Sequence, residues 1–139
     1  MYKNKDLIIK TGDIFYKKTN AELLNHFFNK GYKAWMKTAY FLTDTSFLWM
    51  ARIDSKVRKL WKNDFVGGLI RESYVGDIND EKNKPENFNM SFGFKTRLVF
   101  EKLDNCFIFR GVYKLMVKES RPEVRYFEKI SDTTNLFDF

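Results

Sequence analysis

The sequence predicts an α+β fold: a curved antiparallel sheet, or a partly closed β-barrel, of five to six strands with one or two helices packed on it. Three observations point there. Five segments rich in β-branched and aromatic residues, each bounded by turn residues, occupy most of the chain after Phe47. One well-patterned helix precedes them, and no strand–helix–strand alternation follows. Fifteen Phe, seven Tyr and three Trp in 139 residues exceed what a small core normally needs. Closing the sheet on itself is the natural way to bury so many rings and to protect its edges. The length predicts a single domain, residues 1–139, large enough for a real core.

Taken in order, Leu7–Lys10 reads as a short strand, "TGD" turns the chain, and Ile14–Tyr16 resume it. "TNAELLNHFFNKG" is the helix. Thr19 and Glu22 form a capping box, and Leu23, Leu24, Phe27 and Phe28 form an apolar stripe. Gly31 offers a C-terminal stop. Residues 32–41 are ambiguous between helix and irregular structure. The five strands are Phe47–Asp54, Leu69–Val75, Thr96–Lys102, Phe107–Val117 and Val124–Ile130, with a hairpin turn at "LDN". "SKVRKLWKND" has Val57, Leu60 and Trp61 at helical spacing and reads as a short basic helix. Residues 76–91 are a long polar loop, mobile or a lid.

In the fourth strand, "CFIFRGVYKLMV", strict alternation sends Phe107, Phe109, Tyr113 and Leu115 one way. Ile108, Arg110, Val112 and Lys114 go the other. Gly111 fits a bulge or barrel bend, and a bulge would reverse that phase.

The formal net charge of +7 and a pI near 9.4 favour a polyanionic partner, with DNA favoured over RNA; the alternative is a lysine-rich composition without function. Each main strand carries one arginine: Arg52, Arg71, Arg97, Arg110 and Arg125. A stripe of guanidiniums across one face would suit phosphates. The structural alternative is ordinary cross-strand pairing with acids such as Glu72, Glu101 and Glu128. Lys56, Arg58, Lys59 and Lys62 add four positive charges with no acid among them, able to follow a phosphate backbone or merely to form a solvated face. Trp35, Tyr40 and Trp49, with Asp54 as acceptor, are a candidate aromatic base pocket. The alternative for each ring is core packing.

Catalytic motifs are sparse. His26 is the sole histidine, Cys106 the sole cysteine, and "VGGL" lacks the lysine and spacing of a phosphate loop. Asp54-Ser55-Lys56, with Asp44 upstream, resembles a metal-dependent nuclease layout. Asp80-x-Lys82 matches it too, and about two such matches are expected by chance. No metal site or cofactor is implied. No signal-peptide pattern or run of ~20 apolar residues is present, so the expected location is cytoplasmic.

The C-terminal third, "FIFRGVYKL…RYFEKISD", resembles the last strands of PUA-like barrels, the superfamily that includes EVE and ASCH domains. Similar segments accompany modification-dependent restriction endonucleases. The resemblance implies a barrel that binds nucleic acid, in some members holding a modified or flipped base in an aromatic pocket, and the leading expectation is such a module without catalysis. Two other readings stand beside it: a protein-binding factor of phage or mobile-element origin that blocks a host enzyme, and the metal-dependent nuclease.

Overall fold

The computed structural model describes residues 6–34, 36–82, 84, 88 and 93–138. Its elements are β1 (Ile8–Lys10), β2 (Ile14–Phe15), α1 (Asn20–Phe28), β3 (Ala39–Thr43), β4 (Ser46–Ala51), β5 (Val57–Arg58), β6 (Trp61–Val66), β7 (Leu69–Tyr74), β8 (Thr96–Lys102), β9 (Phe107–Leu115), β10 (Val124–Ser131) and β11 (Thr133–Asn135). β1 pairs with β11. The rest form one nine-stranded sheet in the order β3-β4-β8-β9-β10-β7-β6-β5, with β2 added beside β9.

The helix forms where its caps say it should. Thr19 Oγ1 accepts the Glu22 backbone N–H at 3.1 Å, and Glu22 Oε2 accepts the Lys18 N–H at 2.8 Å. Its end differs from expectation. Asn29, in the left-handed region at φ 51°, closes the last turn through its N–H to Asn25 O at 2.9 Å, two residues before Gly31. Asn tolerates that conformation because its short polar side chain bonds locally. Leu23, Leu24 and Phe27 are buried against Leu48, Met50, Leu98, Phe100, Phe107 and Phe109.

The opposite face of the same strands has its own core: Phe47, Trp49, Ala51, Ile70, Val99, Tyr113, Leu115 and Phe127. β4 is therefore buried on both sides, which is why "FLWM" reads as an unbroken apolar run.

Three expectations about the sheet are corrected. It has more strands than five or six, and its strand path ends at β3 and β5 without joining them, so the sheet curls without closing. It is also not wholly antiparallel, because β4 and β8 run parallel, Ser46 opposite Thr96 through Ala51 opposite Glu101. A parallel pair usually declares itself by a crossover helix. Here the connection contains the β5–β7 strands instead.

The basic helix expected at residues 55–63 is a β-hairpin. Val57 pairs with Lys62 and Arg58 with Trp61, around a two-residue loop in which Lys59 (φ 50°) and Leu60 (φ 68°) are both left-handed. That is a primed hairpin turn, usually announced by Asn-Gly. Lys-Leu carries no such announcement, and the helical spacing of Val57, Leu60 and Trp61 is a coincidence of the sequence.

Gly111 does bend its strand. Val99 faces Gly111 while Phe100 faces Phe109, so Arg110 is the extra residue of a bulge. Strict alternation fails there. Phe107, Phe109 and Val112 face the helix, and Tyr113 and Leu115 face the second core. Glycine is required: φ is +121°, and a Cβ would lie 2.9 Å from Lys129 Cε and 3.0 Å from Ser131 O. Cys106 is half-buried.

Candidate nucleic-acid interface

The strand arginines do not form a stripe. Each is bound to a carboxylate: Arg52 to Asp104 at 3.1 Å, Arg71 to Asp64 at 3.1 Å, Arg97 to Glu72 at 3.2 Å, Arg110 to Glu101 at 2.7 Å and Arg125 to Glu72 at 3.4 Å. They also point to different sides. Arg125 is in register with Glu72, and Tyr126 with Arg71, so strand alternation places Arg71 opposite to Arg125. Arg110, the bulge residue, sits 5.6 Å from the Phe65 ring centroid while holding Glu101.

What two of these arginines build is an interior site. Glu72 on β7, Arg97 on β8 and Arg125 on β10 are 5%, 1% and 0% exposed. Glu72 Oε2 accepts Arg97 Nη1 at 3.2 Å, and Oε1 accepts both Arg97 Nη2 and Arg125 Nη1 at 3.4 Å. In the strand order, β9 and β10 separate β8 from β7. At the spacing of a flat sheet those strands would lie roughly 14 Å apart. Direct pairing of their side chains requires the sheet to curl, with this triad on the concave side.

Rings surround the triad. The Arg97 guanidinium lies 4.0 Å from the Phe127 ring centroid, 4.8 Å from Trp49 and 5.3 Å from Phe47. That of Arg125 lies 5.1 Å from Trp61 and donates to the Phe88 carbonyl. Trp61, Tyr74 and Phe88 pack edge-on or tilted, with centroids 5.0–6.3 Å apart. Burial pulls the Arg125 guanidinium below its ordinary pKa, Glu72 opposing the shift and Arg97 adding to it. Even so, a guanidinium in a protein stays cationic. Buried ion pairs are poor sources of net stability, because desolvation offsets their attraction. Planar donors between flat walls are suited instead to a planar ring that carries hydrogen-bond acceptors.

The sequence-predicted pocket is not assembled as expected. Trp35 lies outside the described residues. Tyr40 packs on the helix-side core and Trp49 on the concave side, so the two cannot wall one pocket. Burial, with a 2.8 Å hydrogen bond to Tyr32, pushes the Tyr40 hydroxyl up to about 12. Asp54 sits at the base of the β5–β6 hairpin, both oxygens held by Arg58 at 2.7 and 2.8 Å, and that pairing holds its carboxyl far below the usual range. For Asp54 to bind a metal, as in the nuclease layout, it would have to release Arg58. No group of three metal-ligating side chains occurs among the described residues.

Of the predicted pocket only Trp49 lines the concave site. Glu72, Tyr74 and Phe88 were missed. Glu72 had a signal: it shares parity with Ile70 and Tyr74 in "LIRESY", the buried face of that strand. Among the predicted phosphate contacts, Lys56 and Lys59 are exposed and Lys62 half-buried, all on the β5–β6 hairpin. No helix among the described residues is long and apolar enough to cross a membrane.

The molecule thus belongs to the class of open, strongly curled β-sheets with a helix on the convex side and an ion-paired, ring-lined concave side. No family model matches the chain, and no curated protein does. A solved structure that does match is "The 5-Hydroxymethylcytosine-Specific Restriction Enzyme AbaSI", with a TM-score of 0.66 and 17% sequence identity. The match covers 92% of this chain and 42% of that one, so this chain spans less than half the length of its neighbour. The likeness is one of fold.

Proposed function

We propose that the chain is a nucleic-acid-binding module that reads a modified or flipped base, in the manner implied by the PUA-like resemblance. The observation that carries this reading is the match, over nearly the whole chain, to a restriction enzyme specific for 5-hydroxymethylcytosine. The concave site supports it. Trp49, Trp61 and Tyr74 supply flat walls, and Arg97 and Arg125, held by Glu72, supply donors. The base pocket therefore moves from Trp35, Tyr40 and Asp54 to this interior. Arg97 and Arg125 belong to the pocket rather than to the phosphate contacts. Those contacts fall to Lys56, Lys59 and Lys62 on the hairpin, and DNA is favoured over RNA because the neighbour is a restriction enzyme.

The test is a salt-titrated binding panel of single- and double-stranded DNA and RNA, with plain, methylated and hydroxymethylated cytosine. The expected result is tightest binding to duplex DNA carrying the modified base. Reversing Lys59 and Lys62 to Glu together lowers affinity for all duplexes and flattens the salt slope by about 1.8. Binding that ignores both salt and base modification, with a stoichiometric protein complex in its place, would favour the protein-binding alternative.

A further inference from the structure

The inner face of β6 holds two buried polar atoms that no described residue satisfies: the indole nitrogen Nε1 of Trp61 and the amide oxygen Oδ1 of Asn63. Both residues face the concave site. Trp61 is in register with Tyr74 and Asn63 with Glu72. The Asn63 amide is anchored, because its Nδ2 donates to the Arg52 carbonyl at 3.3 Å, leaving Oδ1 as the open atom. The Trp61 ring is fixed between Tyr74, Phe88 and Arg125.

Buried donors and acceptors are almost always satisfied in native proteins. A donor and an acceptor left open on one face of one strand, two residues apart and both turned toward the concave site, have a common explanation: a ligand completes both. That ligand must present an acceptor and a donor along one edge, from a flat body that stacks between rings. A cytosine does so, with the exocyclic amino group as donor and the ring nitrogen N3 beside it as acceptor. A uracil or thymine in the same pose is mismatched twice: its O4 would meet the Asn63 oxygen, acceptor against acceptor, and its N3–H would meet the Trp61 N–H, donor against donor.

We infer that Asn63 and Trp61 are specificity-determining residues that read the base edge, Asn63 Oδ1 accepting from the exocyclic amino group and Trp61 Nε1 donating to a ring acceptor. These two contacts then select cytosine against uracil, and the preference for a modified 5-position is left to the rest of the pocket. This inference rests on the reading of the concave site as a base pocket.

The experiment uses the full chain and three duplexes of one sequence, holding a single cytosine, 5-hydroxymethylcytosine or 5-hydroxymethyluracil. The two modified bases share their 5-substituent and differ at the amino group. Wild type is expected to favour 5-hydroxymethylcytosine over 5-hydroxymethyluracil by roughly tenfold or more. Asn63→Leu and Trp61→Phe each bring that ratio toward one. Trp61→Phe deletes an unsatisfied donor, so its melting temperature stays near that of wild type while discrimination falls, which a purely structural role would not produce. If both variants melt normally and keep the wild-type ratio, the assignment is wrong. If wild type prefers both modified duplexes equally over plain DNA, the pocket stands and this assignment alone falls. If wild type ignores the modification, the pocket reading fails and takes this inference with it.

Discussion

Glu72 is the residue on which the concave side depends. It is buried and accepts from guanidiniums on two other strands. Removing its charge strands both cations away from water, and breaking a buried pair from one side costs about 3–5 kcal/mol. Glu72→Gln is therefore expected to lower the urea midpoint by that equivalent, far more than Glu128→Gln on an exposed position of β10. Equal effects of the two substitutions would mean that the triad carries no such weight. Arg110 shows the same physics in milder form. An arginine stands at the centre of an apolar strand because a bulge lifts it out of the alternating pattern, and Glu101 receives it. The glycine beside it was readable as a bend. Which residues the bend sent to which face was not, because a single unpaired residue reverses every position after it.

At the level of the element, the β5–β6 hairpin links local backbone cost to the proposed contacts. Lys59 and Leu60 both occupy a region that L-residues with a Cβ populate at a cost of roughly 1–2 kcal/mol each. Lys59→Asn places a residue at home there and is expected to raise the melting midpoint by an amount worth up to about 1 kcal/mol. The same change removes a positive charge from the hairpin and, on the proposed reading, is expected to weaken DNA binding. A thermal melt and a binding titration on one variant check both, and a variant that loses stability would contradict the turn assignment. The five main strands and the helix were legible because period-two and period-3.6 patterns follow directly from backbone geometry. The hairpin was not, since its turn is enforced by pairing with its neighbours rather than by turn-forming residues. The parallel β4–β8 pair was hidden for a related reason, as strand partners far apart in sequence leave no local mark.

Across the whole molecule, ion pairing sets the response to acid. The carboxyls of Asp54, Asp64 and Asp132 are all held below their ordinary value of 3.8. For Asp54 the chief cause is Arg58, for Asp64 the Ser55 hydroxyl and then Arg71, and for Asp132 Lys129. Groups whose pKa is lower folded than unfolded contribute stability above the unfolded value, and that contribution is lost as pH falls through the folded one. Thermal stability is expected to be flat above about pH 5 and to decline below about pH 4. Asp54→Asn is expected to shrink the decline, which a set of melts across pH measures directly; an unchanged slope would show that the Arg58 pairing does not survive in solution.

The parallel β4–β8 pair also dictates when the chain can fold. Ser46 waits for Thr96, Ile70 for Phe127 and Glu72 for Arg125. Until the later strands leave the ribosome, the segment "SFLWMA", destined to be covered above and below, has only β3 beside it and α1 over one face. Assembly is consequently a late event governed by distant partners, slow for a chain of this size.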